Sequence, residues 1–305
     1  MKPLPDFGRI LNKSPDLFVI WGMKIIECPR DAMQGLSAFI PTADKVRYIN
    51  QLLQVGFDTI DFGSFVSPKA IPQMRDTAEV LQQLDTGKGK SKLLAIVANT
   101  RGAEEASVHE SIAYLGFPLS ISETFQLKNT NKSITEALNT IEAIQNICAR
   151  KNKRLVTYIS MGFGNPYGDP YHPDLVGQFV DILVTLGSDV ISLADTVGTA
   201  EPEDIRALFL TLTKHYPSVA LGAHLHSNPL NALEKIDAAF TSGCRRFDGA
   251  IRGFGGCPMA KDDLVGNLAT ETIVHYLEKK RIALALDNAA FENALALADE
   301  IFPKH

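Results

Sequence analysis

Apolar residues along this chain fall into two alternating patterns. Short continuous runs, such as Leu93-Leu94-Ala95-Ile96-Val97-Ala98, read as strands buried on both faces. Between them lie longer stretches with apolar positions every three or four residues, which read as helices packed on a sheet. The pattern predicts strands over 23–26, 59–62, 93–98, 119–122, 155–159, 190–194, 219–226 and 246–250. It predicts helices over 43–55, 71–84, 102–115, 133–151, 173–186, 202–216 and 230–242, then two more over 266–279 and 288–301. Local signals agree. Thr42 stands where an N-cap would, Val46, Ile49, Leu52 and Leu53 share one helix face, and Gly56 follows as a stop. Ser133 and Glu136 have the spacing of a capping box, and Pro202 suits a first helical turn.

Eight strands alternating with helices imply an α/β protein with a parallel sheet. Eight repeats in 305 residues favour a closed (β/α)8 TIM barrel with extra C-terminal helices over an open sheet. Residues 1–20 then read as a leader, and 21–305 as one barrel domain that includes the final helices. A net charge of −5 with no block of like charges argues against a nucleic-acid partner, which would need a basic footprint. No apolar run is long enough to span a membrane, and the first residues lack a signal-peptide core. Cys28, Cys148, Cys244 and Cys257 are too scattered for a disulfide framework, so reduced thiols in a cytoplasm are expected.

In such barrels the chemistry sits at the carboxyl ends of the strands. There the chain places Arg30 and Asp31, Asp61, Tyr158 and Ser160, Asp195 and Thr196, and His224 and His226. A glycine-rich loop carrying Cys257 follows the eighth strand. Side chains two apart on a strand share a face, so His224 and His226 present two imidazoles together. They read either as half of a metal site or as polar residues at a strand end. Asp31 would add a carboxylate oxygen, giving a donor set suited to magnesium or manganese, with zinc also compatible. Arg30 suits an oxyanion formed during reaction, or an ion pair with Asp61. Cys257 reads as a loop-borne acid or base, or as a small residue in a turn. Ser192 and Thr196 are the candidate substrate-side groups of the sixth strand.

Several motifs resemble one family. Cys28-Pro29-Arg30-Asp31-Ala32-Met33-Gln34, Ser64-Phe65-Val66-Ser67-Pro68-Lys69, Ile71-Pro72-Gln73-Met74, Gly255-Gly256-Cys257-Pro258 and Gly266-Asn267-Leu268-Ala269-Thr270-Glu271 are similar to hydroxymethylglutaryl-CoA lyases, members of the DRE-TIM metallolyases. The resemblance runs from about residue 23 to 282. It implies cleavage of 3-hydroxy-3-methylglutaryl-CoA to acetyl-CoA and acetoacetate, with leucine degradation as the usual setting and a homodimer as the assembly. It implies that Asp31, His224, His226 and Asn267 hold the metal ion. Arg30 would stabilise an enolate, Asp31 or His224 would serve as base, and Cys257 would help protonate carbon. Lys128 and Asn129 match a Lys-Asn pair near the acyl-CoA.

The chain also departs from the family pattern. Asp61 stands where the family has glutamate, one methylene shorter in its reach toward Arg30. Ser227-Asn228 replaces Asp-Thr after the histidines, Cys28 replaces a common glycine, and Ala32-Met33 replaces Gly-Leu. The Cys257-to-Asn267 loop is one residue longer. A related aldolase or lyase acting on another 3-hydroxyacyl-CoA or a 2-oxo acid is the nearest alternative. A barrel that binds acyl-CoA or metal without catalysis is the alternative of another class.

Overall fold

The computed structural model describes residues 22–87, 89–256 and 265–302. In chain order these form β1 (Lys24–Glu27), α1 (Pro29–Gln34), α2 (Thr42–Val55), β2 (Thr59–Ser64), α3 (Thr77–Gln82), β3 (Lys92–Ile96), α4 (Thr100–Ser107), β4 (Ile112–Ser120), α5 (Glu123–Thr130), α6 (Ile134–Lys151), β5 (Arg154–Ser160) and α7 (Pro173–Thr185). They continue through β6 (Val190–Asp195), α8 (Pro202–His215), β7 (Ala220–Ser227), α9 (Ala232–Thr241), β8 (Arg246–Gly249), β9 (Gly266–Asn267), α10 (Thr270–Lys279) and α11 (Asn288–Ile301). Strands β1 to β8 pair in parallel with their sequence neighbours, and β8 pairs back to β1, so the sheet closes into a (β/α)8 barrel. The short β9 lies antiparallel to the end of β7 and sets Asn267 opposite His226.

Both faces of the sheet are covered, which is why β2, β6 and β7 are buried at every position. The main apolar core lies between sheet and helices. Leu94, Ile96, Tyr114, Val156, Tyr158, Val190 and Ala220 form a second cluster. They sit at alternate positions of neighbouring strands, as residues filling a barrel interior must. The C-terminal α11 packs on α2, with Phe291 edge-on to Phe57. Beyond it, Phe302 stacks on Phe254 at 4.7 Å, and Asp299 pairs with Arg252 at 2.7 Å. The helix therefore braces the segment that follows β8.

The strand order is as the pattern predicts, and α11 spans the predicted 288–301. The capping box at Ser133 and Glu136 is formed on both sides. Four details differ. Thr42 is the first helical residue rather than the cap: Pro41 precedes it, and the Thr42 hydroxyl donates to Asp76 at 2.8 Å. Residues 112–115, read as the end of a helix, belong to β4, because α4 stops at Ser107 and the apolar run pairs with β3 and β5. The segment 71–84 divides into a 3-10 turn at Pro72–Met74 and the short α3, and 266–279 divides into β9 and α10. Finally, α1 was not anticipated, nor was α5. The signal for α5 is Ser122, read as a strand residue, whose hydroxyl accepts the Phe125 N–H as an N-cap. Residues 1–20, read as a leader, lie outside the described residues. Among the described residues no helix is long and apolar enough to cross a membrane.

At the base of the barrel mouth, Glu27 is fully buried. Its carboxyl accepts the Ile251 N–H at 2.9 Å and the Thr270 hydroxyl at 2.5 Å, tying β1 to the segments after β8. Burial pushes its pKa to about 8 against the pull of those bonds. An acid whose folded pKa is raised stabilises most below its ordinary value, and that stability is lost as pH rises through about 8. The unfolding temperature is therefore expected to fall between pH 6 and pH 9. Glu27→Gln, which keeps a neutral carbonyl acceptor, should flatten that fall in a pH series of thermal melts. An unchanged slope would remove Glu27 as its source.

Candidate active site

Helix α1 opens with Pro29 at its first position, where the missing N–H costs nothing. This abrupt turn out of β1 points Arg30 and Asp31 back over the barrel mouth, and both are buried. Arg30 donates from Nε and one terminal nitrogen to Asp61 at 3.0 and 2.5 Å, and from the other terminal nitrogen to Asp31 at 2.7 Å. The shorter side chain at position 61 thus reaches the guanidinium in full. Gln34, one turn along α1, donates to the same Asp31 oxygen at 2.9 Å. Asn267 donates to the other at 2.8 Å and to the Phe254 carbonyl at 2.9 Å. Both bonds run through the amide nitrogen, which leaves the side-chain oxygen of Asn267 as a donor for a cation.

His224 and His226 lie on the same face of β7 with ring centroids 5.4 Å apart. His224 Nε2 is 4.0 Å from Asp31 Oδ2. That is too long for a hydrogen bond. Asp31, His224 and His226 place donor atoms within 4.8 Å of one another. The electrostatics suit this use. Burial works against the Asp31 charge, but Arg30, then His224 and His226, hold its carboxyl well below the usual range. Burial and the neighbouring His224 bring His226 down to about 4, so it is neutral at physiological pH. Its Nδ1 is buried without a hydrogen-bond partner, an orphaned polar atom of the kind an absent ligand explains. The residues therefore fit a divalent cation.

Arg30, Asp31, Asp61, His224, His226 and Asn267 are thus brought together as expected. Ser192 is buried in the barrel interior, 3.4 Å from Asp248. Thr196 accepts the Met161 N–H at 2.9 Å and so fixes the backbone after β5. Lys128 and Asn129 are exposed on the last turn of α5 and do not join the buried cluster, and Lys128 lies over the Tyr167 ring. Cys257 lies outside the described residues. Three contributors were not read from the sequence. Asp248 pairs with His224 Nδ1 at 3.2 Å, and Arg246 holds Asp248 at 3.1 Å. Their signal was charge at alternate positions of a strand that should be apolar. Lys235 of α9 is the third: it is buried and donates to Asp195 and to the His226 carbonyl, each at 2.8 Å.

Fold and mouth together define a (β/α)8 barrel with a buried Asp-His-His cluster fitted to a divalent cation. The HMGL-like family model matches residues 23–297. Hydroxymethylglutaryl-CoA lyase of Bacillus subtilis is 35% identical over 279 residues, covering 90% of each chain. A 3-hydroxy-3-isohexenylglutaryl-CoA/hydroxymethylglutaryl-CoA lyase of Pseudomonas aeruginosa is 32% identical, covering 87% of this chain and 88% of its own. Among solved structures, an HMG-CoA lyase from Acinetobacter baumannii in complex with coenzyme A and 3-methylmalate superposes with a TM-score of 0.85. It is 29% identical, covering 95% of this chain and 93% of its own. The chain belongs to the HMGL-like family.

Replacing Asp31 by Ala should cut Mn2+ affinity at least tenfold by isothermal titration, because it removes the one carboxylate among the proposed ligands. Unchanged affinity would take Asp31 out of the site.

Proposed function

We propose that the protein is a metal-dependent carbon–carbon lyase that cleaves 3-hydroxy-3-methylglutaryl-CoA to acetyl-CoA and acetoacetate. The observation that carries this reading is the convergence of Asp31, His224 and His226 beside the doubly paired Arg30. Asp31, His224, His226 and Asn267 would hold Mg2+ or Mn2+. A bound ion would polarise the substrate's tertiary hydroxyl and lower its pKa. The remaining work falls to side chains of this chain. Asp31 or His224 accepts the hydroxyl proton. The C2–C3 bond then breaks, the ketone of acetoacetate forms, and the electron pair passes to the thioester as an enolate. Arg30 has five N–H groups, and Asp31 and Asp61 engage three. Two remain to meet the enolate oxygen in a site where the guanidinium is already oriented. Cys257 on its loop supplies a proton to carbon, which yields acetyl-CoA. Ser192 and Thr196 line the substrate side, and Lys128 and Asn129 serve the coenzyme A portion at the rim.

A second reading takes support from the Pseudomonas aeruginosa relative, whose name includes a longer 3-substituent. Tyr158, whose ring lies edge-on to His224 at 5.5 Å, would face such a group. The proposed setting is leucine degradation in the cytoplasm, with a homodimer as the assembly.

Chelator-stripped protein given 3-hydroxy-3-methylglutaryl-CoA should release acetoacetate only after Mg2+ or Mn2+ is restored. Turnover of a longer 3-substituted analogue alone would favour the second reading, and no turnover of either would leave a binding barrel. Arg30→Gln should retain Mn2+ binding and lose about 2–4 kcal/mol of transition-state stabilisation in kcat/KM. Because it leaves Asp61 buried and unpaired, the Arg30→Gln/Asp61→Asn double variant serves as the fold control. A wild-type rate in either would refute the role of Arg30.

A further inference from the structure

Beneath the cluster of ligands the barrel interior is charged. Parallel register sets Gly222 of β7 beside Arg246 of β8, and His224 beside Asp248. It also sets Ser192 of β6 beside Gly222. Gly222 makes the arrangement fit: a Cβ there would stand 3.0 Å from Ser192 Oγ and 3.1 Å from Arg246 Cδ. The Asp248 carboxylate has no exposed side-chain surface and three partners. Its Oδ1 accepts from Arg246 at 3.1 Å. Its Oδ2 accepts from the Ser192 hydroxyl at 3.4 Å and faces His224 Nδ1 at 3.2 Å.

A carboxylate is acceptor-only, so the ring nitrogen facing Oδ2 must carry a proton. That leaves the lone pair of a neutral His224 on Nε2, the atom that lies 4.0 Å from Asp31 Oδ2. His226 has no carboxylate of this kind, and only the Thr196 backbone lies against its ring. Cys28, His224 and Asp248 also bring donor atoms within 4.8 Å of one another. Arg246 already occupies that carboxylate, so this lower trio is a hydrogen-bonded support and not a second ion site.

We propose that Asp248, anchored by Arg246, is a positioning residue that fixes His224 with its proton on Nδ1 and presents Nε2 to the cation. This rests on the reading of the mouth as a divalent-metal site. It makes the two imidazoles unequal, and with both ring nitrogens of His224 committed it leaves Asp31 to accept the substrate's hydroxyl proton.

Two measurements test it. In metal-free wild-type protein labelled with 15N-histidine, long-range 15N–1H correlation at mildly alkaline pH should show His224 as the Nδ1–H tautomer, assigned against His224→Gln. A dominant Nε2–H tautomer would overturn the proposal. In the second, Mn2+ is titrated calorimetrically into wild type and Asp248→Asn. The variant should bind roughly 10- to 100-fold more weakly while its circular dichroism is retained. Equal affinity in a folded variant would overturn the proposal. Should Asp248→Asn not fold, Arg246→Met takes its place, with Arg246→Lys expected to recover part of the affinity. Mn2+ failing to bind wild type would defeat the metal reading itself, a result distinct from equal binding by both proteins.

Discussion

The buried guanidinium of Arg30 is the interaction on which the mouth depends. It lies between two carboxylates that are themselves withdrawn from water, and it favours the charged form of both. Charges taken out of solvent cost several kcal/mol each unless their partners are in place, and removing one partner typically costs about 3–5 kcal/mol. The arrangement tolerates that cost because every member has a second use. Asp61 orients the guanidinium, Asp31 faces the histidines, and the free N–H groups of Arg30 remain for substrate. A preset cation of this kind needs no rearrangement when negative charge develops, which is where electrostatic catalysis gains most.

Much of this was legible in the sequence. Strand order followed from apolar runs separated by amphipathic stretches, because a parallel barrel must bury both faces of each strand. His224 and His226 followed from a period of two, and their convergence with Asp31 from the rule that places function at strand ends. What escaped was tertiary in origin. Residues 112–115 have a composition that suits helix or strand, and only pairing with β3 and β5 decides between them. Asp248 looked like an isolated charge because its partners Ser192 and His224 come from β6 and β7, more than twenty positions away in the chain. Thr42 looked like a cap, yet its hydroxyl is taken by Asp76 of a different segment.

Departures at the second rank of the site make sense together. Ser227 offers no carboxylate after the second histidine, whose ring meets only the Thr196 backbone. The strand end is secured by another means. Lys235 crosses from α9 to hold the His226 carbonyl, the Gly198 carbonyl and Asp195, all through one buried ammonium. Support for the two imidazoles thus comes through a side chain for one and through the backbone for the other.

The alternation on β7 has a further consequence for how this chain can vary through evolution. Its inward positions carry Gly222, His224 and His226, while Ala223 and Leu225 face the helices. Substitutions along the strand change one contact at a time. Deleting or inserting one residue would instead turn both imidazoles toward the helix layer and Leu225 into the mouth. It would also break the pairing with Arg246 and Asp248 on one side and with Asn267 on the other. Length variation in this lineage should therefore collect in the loops, and β7 should keep its reading frame even where its residues drift.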